Sequence, residues 1–452
     1  MGFWLVYTVI GIYVLALLLI FMYSLLQLSL LINYITFKKK AKNSAAPINI
    51  DNDSLPQVTV QLPVYNELYV IERLLMNISQ LDYPKEKLEI QVLDDSTDES
   101  ITITQNIVEK LKSEGLNILH IHRKNREGFK AGALKKGLET AKGELIAIFD
   151  ADFLPKPDWL IKTVPYFANP EIGVVQTRWG HLNRDFSTLT KVQAFALDAH
   201  FTLEQVGRNS QGHFINFNGT AGIWRKQCII DAGNWEGDTL TEDLDLSYRA
   251  QLKNWKFKYL EDVETPAELP IAISAARSQQ FRWNKGGAEN FRKNAFKVLR
   301  SKNVPFKTKV HGLLHLLNSA MFLCALLVSL LSIPMLYIKN QYGHLHWVFM
   351  FTSLFLLSTL ILFSCYWIPF KTLESKKDFR FLRYISLFFT FFSVAMGFSL
   401  HNSLAVLQGY SGKKSEFVRT PKFNVSGMSS NWKANKYLSK RPSLNTVMEV
   451  LL

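Results

Sequence analysis

The sequence predicts an α/β domain, a mostly parallel sheet covered on both faces by helices, set between membrane segments. Three observations predict it. Gly2 to Phe37 contains no charged residue, and apolar stretches recur at Leu313–Ile338, Leu345–Phe370 and Tyr384–Leu407, each long enough for the roughly 20 residues that cross a bilayer. Between them, Lys38 to Lys309 alternates β-like runs with helical periods. Two of those runs end on paired carboxylates, Asp94-Asp95 and Asp150-Ala151-Asp152, and in a sheet of this kind ligands bind beyond the carboxyl ends of the strands.

In chain order, Val58–Leu62 (VTVQL) reads as a strand. Glu67–Leu81 reads as a helix with Val70, Leu74, Leu75 and Ile78 on one face. Leu88–Leu93 is again a strand, Glu99–Glu114 a helix, Asn117–Ile121 a strand, Lys130–Ala141 a helix and Leu145–Phe149 a strand. Beyond Asp152 the pattern loosens and aromatic residues become frequent. Gly286–Arg300 reads as a basic amphipathic helix, Phe291, Phe296 and Leu299 against Arg292, Lys293 and Lys297, suited to lie along a membrane surface.

The 452 residues are 48% hydrophobic and only 20% charged, which fits several membrane segments around one water-facing domain. The first segment lacks a basic start and a small-residue cleavage site, so it is expected to stay as an anchor. Lys38-Lys39-Lys40 places the domain on the cytoplasmic side by the positive-inside rule. Basic flanks on both sides of Tyr384–Leu407, together with Ser399, His401, Asn402 and Ser403, favour an in-plane or re-entrant helix there, with a simple span as the alternative. The net charge of +14 lies largely beside membrane segments. It therefore points to lipid headgroups, and nucleic acid is not expected as a partner. Three scattered cysteines give neither a disulfide frame nor a metal cluster.

No phosphate-cradling glycine loop is present, so nucleotide phosphates must be managed by a metal. Asp150 and Asp152 straddle a small residue at a strand end, an arrangement suited to Mg²⁺ or Mn²⁺ bound jointly with diphosphate oxygens. Asp94 and Asp95 can accept from a base edge or ribose hydroxyls. Pro63, Asn66 and Glu67 end the first strand in the same neighbourhood, and Lys130 offers a cation to the nucleotide. Asp243 is the candidate general base, with Glu242, Asp245 and Glu236 nearby, so that chemistry alone does not fix which one serves. Gln279, Arg282 and Trp283 share one helix face: a fork for phosphate oxygens and an indole plate for a sugar.

These residues carry a resemblance. Their order, with GFKAGALKKG (Gly128–Gly137), AIFDADFLPKPDWL (Ala147–Leu160), FNGTAGIWR (Phe217–Arg225), TEDLDLSYRA (Thr241–Ala250), ELP (Glu268–Pro270) and QQFRW (Gln279–Trp283), resembles the inverting family 2 glycosyltransferases of the cellulose synthase group, above all the plant cellulose-synthase-like mannan and glucan synthases. It runs from about Pro56 to Lys422. The resemblance implies a GT-A type, Rossmann-like cytoplasmic domain taking a nucleotide-sugar donor, UDP-glucose or GDP-mannose, and a glycan or glycolipid acceptor at the inner or plasma membrane. It implies that Asp94, Asp95, Gln279 and Arg282 hold the nucleotide diphosphate, that Asp150 and Asp152 hold the metal, and that Asp243 is the base. Trp283, with Phe217, Asn218 and Gly219 of the FNGTAG run, would meet the acceptor. Glu416–Lys422 looks like the gating loop of these synthases. The expected divisions are a membrane helix (1–37), the transferase domain (38–285), an amphipathic interfacial helix (286–310), membrane or interfacial helices (311–410) and a cytoplasmic tail with the gating-like loop (411–452). Two rivals are a single-addition enzyme acting on a membrane lipid and an inactive transport or scaffold protein.

Overall fold

The computed structural model describes residues 3–41, 54–375, 378–415, 417–425 and 435–437. Seven strands form a mixed sheet: β1 (Val58–Val64), β2 (Leu88–Asp94), β3 (Ile118–His122), β4 (Leu145–Ile148), β5 (Ile172–His181), β6 (Gly222–Arg225) and β7 (Lys256–Ala267). Their order is β3-β2-β1-β4-β6-β5-β7. β1 runs parallel to β2 and β4, β2 to β3 and β5 to β7, while β6 lies antiparallel between β4 and β5. The parallel half is the part the sequence pattern anticipates. Pro63 is tolerated inside β1 because Gln61 accepts from Phe149 on the β4 side, and β4 ends at Ile148 opposite Gln61. The missing N–H of Pro63, two residues on and pointing the same way, therefore falls beyond the end of β4.

The helices, in chain order, start with α1 (Phe3–Ala41). Around the sheet lie α2 (Ile71–Ile78), α3 (Ser100–Ser113), α4 (Phe129–Thr140), α5 (Trp159–Thr163), α6 (Thr188–Ala199), α7 (Gln205–Asn209), α8 (Lys226–Asp231) and α9 (Glu242–Leu252). A π-helical turn, His200–Glu204, joins α6 to α7. The sheet is buried on both faces, as period-2 side chains require. Val60, Leu62, Ile90, Ala147 and Trp159 pack on one side. Ile146, Ile148, Val174, Phe217 and Trp224 pack on the other. Residues 67–70 form a turn, so the expected Glu67–Leu81 helix is confined to α2.

Next come α10 (Ile273–Arg300), α11 (Phe306–Leu316), α12 (Ala320–Gln341), α13 (His346–Ser353), α14 (Leu357–Leu373), α15 (Arg380–Gly397) and α16 (Ser399–Ser411). The basic amphipathic stretch from Gly286 is thus the second half of one helix that begins at Ile273. Phe296, Leu299 and Phe306 stand exposed there beside Lys297 and Arg300. Trp4–Lys40, Ala320–Gln341 and Gly343–Leu373 are long and apolar enough to cross a membrane. α15 and α16 meet at 53°, the geometry of a broken span or a re-entrant loop. The polar residues of α16 turn toward protein: Ser399, Asn402 and Ser403 are buried, and His401 Nε2 lies 3.1 Å from the carbonyl of Arg277 on α10. The lower half of α1 packs Leu30 and Leu31 against Leu203 and against Cys365 of α14, tying the long apolar helices to the sheet domain. The apolar run at Met448–Leu452, Glu416 of the gating-like loop, and Lys376 and Lys377 lie outside the described residues.

Candidate active site

A cleft of about 1250 Å³, counted to its open mouth, lies at the carboxyl ends of β1, β2 and β4. The loops after those strands, the start of α9, one face of α10 and the segment after α16 enclose it.

Two carboxylates come from the end of β4. Asp150 has its N–H bound to Thr220 Oγ1 at 2.9 Å, and its Oδ1 faces Lys130 Nζ at 2.5 Å. Lys130 also donates to the carbonyl of Gly219 at 2.9 Å, joining β4 to the loop before β6. Burial works against the ammonium of Lys130, yet Asp150 and Glu242 outweigh it and raise its pKa. Asp152 is almost wholly buried. One of its oxygens meets Lys422 Nζ at 2.7 Å, and the other, Oδ1, has no hydrogen-bond partner among the described residues. A buried, unpartnered carboxylate oxygen beside a half-exposed second carboxylate is a donor set that a hard divalent cation fits.

Asp95 lies in the cleft wall, gripped by Arg123 through two bonds of 2.7 and 2.5 Å. Asp94 does not reach the cleft. It is fully buried, and its oxygens accept from the Ser96 N–H at 2.8 Å and lie 2.8 Å from His120 Nε2. Successive side chains of a strand point to opposite faces, and Asp94 supports the strand end. Asn66 also lies outside the cleft lining. Its backbone is left-handed at φ 54°, its N–H donates to Ser96 Oγ at 2.7 Å, and its side chain accepts from the Thr97 N–H at 2.8 Å. It ties two loops together, while Pro63 and Glu67 line the cleft.

Glu242 and Asp243 begin α9, where unpaired backbone N–H groups favour negative charge. Burial, reinforced by Glu242 alongside, pushes the Asp243 carboxyl up to about 7. Burial also raises Glu242. Asp243 Oδ1 accepts from the Leu244 N–H at 2.9 Å. Gly219 presses against the same carboxylate: a Cβ there would lie 3.0 Å from Asp243 Oδ2, and its φ of +78° suits glycine. α10 passes equally close, since a Cβ on Gly286 would meet Thr241 Oγ1 at 2.5 Å.

Gln279, Arg282 and Trp283 on α10 all face the cleft. Burial lowers the pKa of Arg282, opposed by Glu242 and Asp150. Its guanidinium sits over Phe417, 4.5 Å from the ring centroid, and reaches the Val418 carbonyl at 3.4 Å. Asn218 and Gly219 line the cleft as expected of them. Phe217 does not: it is wholly buried in the core against Trp224 and Trp235.

Some groups in the cleft escaped the sequence reading. Arg126 stacks 3.4 Å from the centroid of Tyr65. Arg419 pairs with Glu67 at 2.9 Å, and Lys422 with Asp152. Burial raises Glu67 to about 7 in spite of Arg419. Both cations belong to the segment after α16, which crosses the cleft and docks Phe423 and Val425 on Ile271 and Ala272. Alternating cations in Arg419-Thr420-Pro421-Lys422 were the available signal. A second acidic cluster, Glu236, Asp238 and Asp245, lies elsewhere. Lys293 fills it, with Nζ 2.6, 2.7 and 3.1 Å from the three carboxylates.

Comparison with known proteins places these features. Residues 56–286, about half of the chain, match the family model described as "Glycosyltransferase like family 2". The chain is similar to the probable glucomannan 4-beta-mannosyltransferase 7 of Oryza sativa subsp. japonica, 46% identical over 263 residues that cover 57% of this chain and 45% of that protein. Glucomannan 4-beta-mannosyltransferase 9 of Arabidopsis thaliana is 44% identical over 269 residues, 58% of this chain and 50% of that one. The chain spans about half the length of the curated relatives it matches. Among solved structures, the mannosyltransferase PcManGT from Pyrobaculum calidifontis in complex with GDP-Man and Mn2+ shares the fold, with a TM-score of 0.59 at 20% identity over 90% of this chain and 100% of that one.

Proposed function

The chain belongs to glycosyltransferase-like family 2, and from that premise we propose that it is a membrane-embedded, inverting, metal-dependent transferase. It moves a sugar from an α-linked nucleotide donor on the cytoplasmic side to the non-reducing end of a β-glycan. The glucomannan mannosyltransferases it resembles make mannose the first sugar to test.

The observation that carries this reading is the convergence of Asp150, Asp152, Glu242, Asp243, Gln279, Arg282 and Trp283, drawn from three distant stretches of chain, around one cleft. Asp150 and Asp152 would hold a divalent cation, Mg²⁺ or Mn²⁺, which when bound neutralises charge on the departing diphosphate. Arg282 adds a fixed cation to the same oxygens, and Gln279 a neutral donor. Asp95, Glu67 and Arg126 line the nucleotide end. At the other end Trp283 and Asn218 orient the acceptor sugar. Asp243 then takes the proton of the acceptor hydroxyl as that oxygen attacks the anomeric carbon and the diphosphate leaves from the opposite face, which converts an α-donor into a β-linkage. A base that titrates near neutrality is matched to that task.

The test uses the full chain in lipid nanodiscs with Mn²⁺ or Mg²⁺. GDP-mannose and UDP-glucose are scored for nucleoside diphosphate release and for the length of radiolabelled product. A ladder of β-linked products is expected. One sugar per acceptor would replace the polymerase reading with the single-addition one, and no release from any donor would remove the transferase reading.

A further inference from the structure

Asn218 lines the cleft, yet its position is fixed from outside it. Its Oδ1 accepts from Asn216 Nδ2 at 2.7 Å and lies 3.2 Å from His200 Nε2. The other ring nitrogen of His200, Nδ1, lies 3.0 Å from Glu204 Oε2. Contacts at both ring nitrogens hold the imidazole between the Asn218 amide and the Glu204 carboxylate. The Nδ2 of Asn218 remains, buried and without a hydrogen-bond partner among the described residues.

The network continues into the membrane helix. Glu204 accepts from Gln27 Nε2 of α1 at 2.7 Å and pairs with Arg208 at 3.2 Å. Gln27 in turn lies 2.6 Å from the hydroxyl of Tyr23. Burial works against a charged Glu204, but Arg208 and His200 hold its carboxyl well below the usual range. Two backbone features make the register. The π-helical turn His200–Glu204 sets the imidazole and carboxylate one turn apart, and such local widenings recur at functional positions. Gly207 lets α7 approach α1 so closely that a Cβ would lie 2.6 Å from the carbonyl of Leu30.

Resting on the transferase reading above, we propose that His200 and Glu204, anchored by Gln27 of the first membrane helix, are positioning residues that turn the Asn218 amide so that its free N–H donates to a hydroxyl oxygen of the acceptor sugar. The unpaired donor belongs to a residue that lines the cleft, where an acceptor hydroxyl would satisfy it. The same chain of contacts links Asn218 to Gln27 of α1.

The experiment measures transfer from GDP-mannose to a β-linked manno-oligosaccharide by the full chain in nanodiscs, with donor affinity by calorimetry. His200→Ala is expected to raise the acceptor KM about tenfold, the loss of one oriented hydrogen bond, with donor affinity within about twofold. His200→Gln, which keeps a donor toward Asn218, is expected to restore acceptor KM to within about threefold of wild type. An acceptor KM unchanged in His200→Ala, or no recovery in His200→Gln, overturns the proposal while the transferase reading stands. Should His200→Ala lose donor affinity as well, Gln27→Leu decides. A rise of about threefold in acceptor KM supports the relay, and an unchanged value overturns it. Wild-type protein that turns over no donor removes both readings together.

Discussion

Replacing Gly219 by alanine isolates the contact between the loop before β6 and the proposed base. The backbone at Gly219 has φ +78°, and a Cβ there would stand 3.0 Å from Asp243 Oδ2 and 3.5 Å from Lys130 Nζ. Left-handed backbone costs a non-glycine residue roughly 1–2 kcal/mol. The carboxylate contact is 0.4 Å inside the 3.4 Å lower bound of ordinary packing, so either the loop or Asp243 must move. Displacement of a reacting group by about 1 Å costs about 10²-fold in rate. On a logarithmic scale a shift of about 0.4 Å predicts a fall in kcat of about sixfold, with donor affinity changed less than about twofold. Stopped assays of nucleoside diphosphate release, beside calorimetric titration of GDP-mannose, measure both. A kcat within twofold of wild type would refute the close packing of Gly219 on Asp243 as a constraint on turnover. Loss of donor binding in step with kcat would refute the assignment of the contact to the base.

Four further outcomes follow from the same geometry. The Asp243 carboxyl is raised by burial and Glu242 to about 7, so kcat/KM should rise with pH through about 7 and level above it; a flat profile from about pH 5.5 to 8.5 would contradict a base whose carboxyl is raised to neutrality. The sign for stability is opposite: a carboxyl that holds its proton more tightly folded than unfolded loses stability for the fold as pH rises from about 4 to 7, so Asp243→Asn should melt higher than wild type at pH 8. Gly286→Ala would press a methyl group within 2.5 Å of Thr241 Oγ1, and overpacking of this kind costs about 1–3 kcal/mol, read as a lowered Tm together with lowered kcat. Chelation should abolish turnover and Mn²⁺ restore it, with Asp152→Asn raising the metal concentration for half-activation at least about tenfold; turnover that survives EDTA would exclude a metal at Asp150 and Asp152.

How much of this was legible in the chain depends on the residue. The β1–β4 half was, because runs such as VTVQL and LIAI are short, β-branched or apolar, and bounded by turns. β5, β6 and β7 were not, since β5 pairs with β7 across some 80 residues of intervening chain, and β6 is only four residues long. Where two candidates sit side by side, the structure separates them. Asp95 faces the cleft and Asp94 the strand support; Asn218 faces the cleft and Phe217 the core. The period of two was available at the end of β2, whereas Phe217 and Asn218 lie in the loop before β6, where no period applies. The unbroken run of α10 from Ile273 was obscured because Gly286 and Gly287 resemble a helix stop. They are helical, and small, because Thr241 and Ser319 press against them. The pairings of Arg419 and Lys422 with Glu67 and Asp152 depend on chain more than 260 residues away, which no local pattern encodes.

The catalytic account stands or falls on whether one carboxylate at the start of α9 acts on chemistry without holding the donor. Asp243→Asn, assayed for sugar transfer and for donor affinity in one preparation, separates the two. Turnover lower by at least about 10², with GDP-mannose or UDP-glucose bound about as tightly as by wild type, is the predicted result. Turnover near wild type would contradict the account outright.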